Sequence, residues 1–191
     1  MAARGGTLRI VAGELRSRHI RIPAQIRPTT DRVRAAIFDA LGAAPPARVL
    51  DCFAGSGGLG LEALSRGAGY VRFIEKSARA AAVIRANLST LALSEFGEVV
   101  VADALRTDLA AGGPFGLVLA DPPYAQAPWP DLFARLSRDG VLQPGALVVA
   151  EHSVRTSTPE APLGWTLWKT RIHGDTAFTI FHVLDSTGAQ R

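Results

Sequence analysis

The chain has 191 residues, 48% of them hydrophobic, and a formal net charge of +4. That length suits one domain with a substantial core. No apolar run reaches the ~18 residues of a bilayer-spanning helix, the opening Met-Ala-Ala-Arg-Gly-Gly lacks a secretory apolar segment, and the lone Cys52 excludes an internal disulfide, all of which fits a reducing, cytoplasmic setting.

The first elements are the most basic. Thr7 to Val11 and His19 to Ile22 read as short strands around a turn at Ala12-Gly13-Glu14, a hairpin. Pro23 and Pro28 then interrupt regular structure. A helix is predicted after Thr29-Thr30, with Thr30 as N-cap and Asp31 in its first turn. Val33, Ile37 and Leu41 give it one apolar stripe, with Arg32 and Arg34 off that stripe. Residues 1–34 hold eight arginines against Glu14 and Asp31, so the rest of the chain sums to −2. With 19 arginines and 2 lysines overall, arginine is the default cation, which accounts for its choice but not for its clustering. Guanidinium pairs bidentately with phosphate and stacks on bases. Arg9, Arg16, Arg18, Arg21, Arg27, Arg32 and Arg34 are therefore candidate nucleic-acid contacts. Residues 1–28 are expected to form a basic hairpin extension, and residues 29–191 the main domain.

From residue 47 strands and helices alternate. Strands are expected at 47–51, 70–75, 97–102, 116–120 and 146–151, and helices at roughly 57–66, 77–92, 104–111 and 129–138. Gly67 is placed to stop the first of these helices. Such alternation implies a parallel sheet covered on both faces, with ligands at the carboxyl ends of the strands. At the end of the chain, Trp165–Ile172 and Ala177–Leu184 flank His-Gly-Asp-Thr with no room for a helix, so they should pair antiparallel.

Two motifs carry the chemistry. Gly55-Ser56-Gly57-Gly58-Leu59-Gly60 fits the pattern G-x-G-x-x-G, which alone suggests a nicotinamide dinucleotide as readily as any other cofactor. Asp51, four residues before Gly55, shifts the balance. Two like charges ~4 Å apart repel by about 4 kcal/mol at an effective dielectric of ~20, so a pyrophosphate sits poorly beside it. S-adenosylmethionine carries a sulfonium and an ammonium and no phosphate, which reverses the sign. Glu75 closes the second of these strands, where it can accept both ribose hydroxyls, and Asp103 closes the third, within reach of an adenine amine, with Ala104 beside it. One strand-end acid is ordinary; Asp51, Glu75, Asp103 and Asp121 on four successive strands are not.

The second motif is Asp121-Pro122-Pro123-Tyr124, leaving the apolar run Gly116 to Ala120. Asp-Pro-Pro alone is ordinary turn chemistry. After a buried strand in a cofactor-binding chain it suits a planar exocyclic amine, a poor nucleophile whose lone pair is delocalised into the ring. Asp121 and a backbone carbonyl near Pro122 can accept its two N–H bonds and help localise that lone pair. The prolines fix this geometry in advance, and Tyr124 can stack on an extruded base. Cys52 reads as a small buried residue, the four histidines show no metal-ligand spacing, and the three tryptophans read as packing or edge residues.

The acids, the glycine loop and the Asp-Pro-Pro-Tyr turn together resemble Rossmann-like S-adenosylmethionine methyltransferases acting on amino nitrogen. Arg27-Pro28-Thr29-Thr30-Asp31-Arg32-Val33-Arg34, with the Asp51–Gly57 loop and the run Leu59–Ala68, resembles the bacterial RsmD family over nearly the whole chain. The resemblance implies a seven-stranded, mainly parallel sheet of the class I methyltransferase type, with an antiparallel terminal hairpin and the basic N-terminal β-hairpin. It implies Asp51, Gly55, Gly57, Gly60, Glu75, Asp103 and Ala104 around S-adenosylmethionine, and Asp121 to Tyr124 at the target base. It further implies methylation of guanine N2 in 16S rRNA, within a small ribosomal subunit or its precursor. Gly58, where alanine is common, and Lys76-Ser77, where an acid often follows the ribose-binding carboxylate, depart from the pattern without endangering that chemistry. The competing expectations are an adenine-N6 DNA methyltransferase, a nicotinamide oxidoreductase and a non-catalytic RNA-binding assembly factor.

Overall fold

A computed structural model describes residues 6–24, 29–42, 44–123 and 128–184. In chain order the elements are β1 (Thr7–Arg9), β2 (His19–Arg21), α1 (Asp31–Leu41), β3 (Arg48–Cys52), α2 (Gly58–Ser65), β4 (Tyr70–Glu75), α3 (Ala78–Thr90), β5 (Gly97–Val101), β6 (Phe115–Ala120), α4 (Trp129–Leu136), β7 (Leu142–Ser153), β8 (Trp165–His173) and β9 (Thr176–Val183). None of these helices is long and apolar enough to cross a membrane.

Seven strands form one sheet in the order β5-β4-β3-β6-β7-β9-β8. Neighbours from β5 through β7 pair parallel, and β9 runs antiparallel to both β7 and β8. The chain moves outward from β3 through β4 to β5, then returns to place β6 on the other side of β3. This reversal opens a crevice beyond the carboxyl ends of β3 and β6, where α/β sheets bind ligands.

Side-chain alternation divides the core. Val49, Phe73, Leu117, Leu119 and Val149 pack with α1, α2 and α3 on one face. Leu50, Cys52, Ile74, Val118 and Ala120 pack with α4 on the other. Every residue of the central strand β6 is buried, as expected where both faces are covered. Trp129 and Trp165 join Phe133 and Phe181 in an aromatic cluster with ring centroids 5.1–6.2 Å apart, so they serve packing.

The N-terminal hairpin shares this core. β1 and β2 pair antiparallel, and Leu8, Ile10, Ile20 and Ile22 are buried in the cluster with α1 to α3. Arg9, Arg16, Arg18 and Arg21 are exposed on the hairpin's outer side. Its closing loop is wider than the expected turn: Ile10 N–H donates to Arg18 O and Ser17 N–H to Ile10 O, both at 2.9 Å.

Two helix expectations need correction. Residues 104–111 form turns. The Asp103 carboxylate accepts the Leu105 N–H, the Asp108 carboxylate accepts that of Ala110, and Gly112-Gly113-Pro114 follow. Side-chain bonds to nearby N–H groups compete with a helical ladder. In α1 the buried face is Val33, Arg34, Ile37 and Phe38, while Leu41 is only half-buried.

Candidate active site

The carboxyl ends of β3, β4, β6 and β7, with the turn after β5, open on one cleft of about 630 Å³. Asp51, Gly55, Glu75, Asp103, Ala104, Asp121, Pro122 and Pro123 all line it. Tyr124 and Arg27 lie outside the described residues.

Asp51 is 1% exposed. Burial pushes its carboxyl up to about 8; the Gly60 N–H, donating to Oδ2 at 2.9 Å, works against this, while Asp121 and Glu75 add to it by like-charge repulsion. Asp121 is pushed up to about 6 by burial, opposed by the Thr29 hydroxyl, which donates to Oδ2 at 2.9 Å. Glu75 is held from two sides: its carboxylate accepts the Gly55 N–H at 2.8 Å and the Ser77 N–H at 2.7 Å. A carboxylate has about four acceptor positions, so capacity for two hydroxyls remains. Asp103 lies below the usual carboxylate range because it accepts the Leu105 N–H and is bonded by Lys76 Nζ at 3.1 Å. Ala104 is buried against the same turn.

Gly57 and Gly60 are not among the residues that line the cleft. Gly57 caps α2 with φ 79°, a left-handed conformation that glycine adopts without steric cost. Gly60 sits behind Asp51, and a Cβ there would lie 2.3 Å from the Phe73 ring. The expectation that Arg34 contacts nucleic acid is corrected. It is 1% exposed and its guanidinium is bonded to the carbonyls of Thr29 and Arg9 and to Asp31, so it offers nothing to a phosphate. Arg32 is exposed.

The structure adds residues that the sequence pattern did not single out. Thr29 and Thr30 reach the cleft from the start of α1, and Glu151 reaches it from β7. Glu151 is a fifth strand-end acid, and the rule that singled out the other four would have found it. Among the described residues, five carboxylates thus line the cleft against two cations, Lys76 and Arg79, and Lys76 is already paired with Asp103. That donor set fits a small cationic guest and opposes a pyrophosphate. Cys52 is fully buried, and burial raises its thiol, which disfavours the reactive thiolate.

This sheet order, with one reversed strand and an acid-lined cleft running into Asp-Pro-Pro, defines a Rossmann-like methyltransferase. The sequence model of the family described as Conserved hypothetical protein 95 matches residues 8–182. Ribosomal RNA small subunit methyltransferase D of Escherichia coli (strain K12) is 36% identical over 181 residues, 92% of this chain and 90% of the relative. YlbH of Bacillus subtilis (strain 168) is 33% identical over 180 residues, 91% and 98% of the two chains. The solved structure of yhhF from Escherichia coli superposes with a TM-score of 0.82 at 34% identity, covering 94% of this chain and 99% of that one. The chain belongs to this family, that of ribosomal RNA small subunit methyltransferase D.

Proposed function

We propose that this chain methylates the exocyclic N2 amine of a guanine in 16S rRNA, within a small ribosomal subunit or its precursor, with S-adenosylmethionine as methyl donor. The carrying observation is that Asp121 shares one cleft with Asp51, Glu75 and Asp103. The acceptor for an amine and the seat for a cation therefore open on the same space. Bound there, S-adenosylmethionine supplies a methyl group activated by its positive sulfur.

The chain's own residues do the rest. Asp51, buried and crowded by two other acids, favours the cationic methionine portion. Glu75 offers its remaining lone pairs to the ribose, while Asp103 and Ala104 border the adenine. Asp121 and the carbonyl at Pro122 accept the two N–H bonds of the target amine, which orients its lone pair toward the methyl carbon. As the new N–C bond forms and the C–S bond breaks, Asp121 or water receives the proton that nitrogen sheds. Tyr124 stacks on the base. Arg9, Arg16, Arg18, Arg21, Arg27 and Arg32 hold RNA phosphate, the hairpin of residues 1–28 acting as the RNA-facing extension of the methyltransferase body.

Mass analysis of ribosomal nucleosides from cells lacking the gene tests this, followed by mapping the position that loses its methyl group. N2-methylguanosine should fall; an unchanged level defeats the reading. Radiolabel transfer from S-adenosylmethionine to undermethylated small subunits should vanish in Asp121→Ala, and transfer that persists would remove Asp121 from its assigned role.

A further inference from the structure

Asp121 is held from outside its own strand. Its Thr29 partner lies 92 residues earlier, in the segment entering α1. The Thr29 carbonyl accepts a bond from Arg34 Nη1 at 2.8 Å, and the other terminal nitrogen, Nη2, donates to the Arg9 carbonyl in β1 and to Asp31 Oδ1 at 2.9 Å. Arg34 Nε lies 3.9 Å from Oε2 of Glu62, a fully buried carboxylate of α2. Glu62 accepts the backbone N–H groups of Val11 and Ala12 at 2.8 and 3.0 Å, both in the hairpin, and Arg66 Nε at 2.9 Å. A chain of hydrogen bonds therefore runs from the Arg9 carbonyl of the hairpin through the buried guanidinium and Thr29 to the carboxylate at the target-base end of the cleft, with Glu62 as a looser ionic neighbour.

A buried ion pair is a weak source of stability, because desolvation offsets most of its attraction. Apolar side chains of similar volume could hold α1 against α2. A guanidinium does something they cannot: its fork fixes two backbone carbonyls, Thr29 and Arg9, relative to each other. With that carbonyl fixed, the Thr29 hydroxyl occupies one acceptor position on Asp121 Oδ2, stops the carboxylate turning, and leaves Oδ1 for a substrate donor.

We propose that Thr29 and Arg34 are positioning residues for methyl transfer, with Arg34 aiming the Thr29 hydroxyl at Asp121 and tying the seat of the hairpin to the orientation of that carboxylate. The inference rests on Asp121 holding the target amine, as assigned above. Neither side chain touches the reacting atoms. Both act through Asp121, so their loss is felt in turnover more than in binding.

The test uses the full chain, undermethylated small subunits and S-adenosylmethionine. Thr29→Val keeps the branched shape and removes the hydroxyl; Thr29→Ser keeps the hydroxyl. A bond to a charged acceptor is worth enough that kcat should fall about tenfold or more in Thr29→Val. KM for subunits and Kd for S-adenosylmethionine should stay within about twofold of wild type, and Thr29→Ser should retain kcat. Wild-type kcat in Thr29→Val overturns the inference. So does equal loss in both variants together with weakened cofactor binding, the mark of a packing role. Arg34→Lys keeps the charge but not the fork, and should reproduce the kcat loss without adding to that of Thr29→Val; additive losses overturn the link between them. Where Arg34→Lys fails to fold, the Thr29 pair decides alone. Asp121→Asn separates the two claims. Full activity there sinks the role of Asp121 itself, whereas an inactive Asp121→Asn beside a fully active Thr29→Val sinks only the positioning role.

Discussion

Gly60 donates its backbone N–H to Asp51 Oδ2 at 2.9 Å, and a methyl group on Gly60 would lie 2.9 Å from that same oxygen and 2.3 Å from the Phe73 ring. The third glycine of the G-x-G-x-x-G pattern therefore lets helix α2 press against the sheet and aims a carboxylate. On the proposed function, its effect on cofactor binding passes through Asp51.

Gly60→Ala follows directly. Phe73 is fully buried in the core. Overpacking of this kind costs about 1–3 kcal/mol, so the melting temperature should drop. Affinity for S-adenosylmethionine should fall about tenfold or more as Asp51 is displaced. Thermal unfolding and calorimetry read the two effects; unchanged affinity in a destabilised variant would show that Asp51 does not face the cofactor.

The Asp51 carboxyl, at about 8 against its ordinary 3.8, gives a signed pH dependence. Between these values the folded protein keeps a proton that the unfolded chain has released, so stability falls as pH rises through this window. Asp121, pushed up to about 6, adds to the same slope over its lower part. Cofactor binding runs the other way. A cation favours ionised Asp51, so affinity for S-adenosylmethionine should rise toward pH 8 and then level, with proton release on binding. Calorimetry near pH 7 in two buffers of different ionisation enthalpy measures that release, which Asp51→Asn should abolish. Identical proton counts in wild type and Asp51→Asn would refute the assignment.

Most of the fold was legible because strand and helix periods differ and because β6 is a continuous apolar run, the mark of a strand covered on both faces. The four strand-end acids were legible for a related reason: a carboxylate closing an apolar strand stands out. Arg34 was not legible. Its sign suggested phosphate, and only packing shows that Glu62, 28 positions further on, lies beneath it. The 104–111 segment has helical composition, yet Asp103 and Asp108 bind nearby N–H groups, a local competition that periodicity does not register. Gly60 matched its motif for the reason the pattern carries, the close approach of a helix to the sheet.

Arg16, Arg18 and Arg32 are exposed, so the proposed contact with RNA phosphate falls to them and not to the buried Arg34. Alanine at any one of them should weaken binding to small subunits while leaving S-adenosylmethionine affinity unchanged. Removing an arginine that pairs with one phosphate should also flatten the dependence of log K on log salt by about 0.7–0.9. Filter binding across a salt series measures this. An unaltered slope in all three would place the RNA on another face.

Gly13 provides the sharpest test of how firmly the hairpin is seated. Ser65 ends α2, and its carbonyl, one of those a helix terminus leaves unpaired, accepts the Glu14 N–H at 2.8 Å. The Ser65 hydroxyl donates to the Ala12 carbonyl at 2.6 Å and accepts the Leu15 N–H at 3.0 Å. Gly13 lies in the middle of this clasp with φ 82°, and a Cβ there would stand 1.8 Å from the Ser65 oxygen. Gly13→Ala must therefore lift the loop off α2 and break these bonds, at about 2–4 kcal/mol from broken hydrogen bonds and left-handed strain together. Gly42→Ala is the control, because Gly42 also has a left-handed φ of 74° but has nothing within 4 Å. It should cost only the strain, about 1–2 kcal/mol. Limited proteolysis should cut Gly13→Ala within residues 9–21 faster than Gly42→Ala, and binding to small subunits should weaken in the first variant alone. Equal stability and equal cleavage of the two would show that the hairpin rests on α2 without being fastened to it.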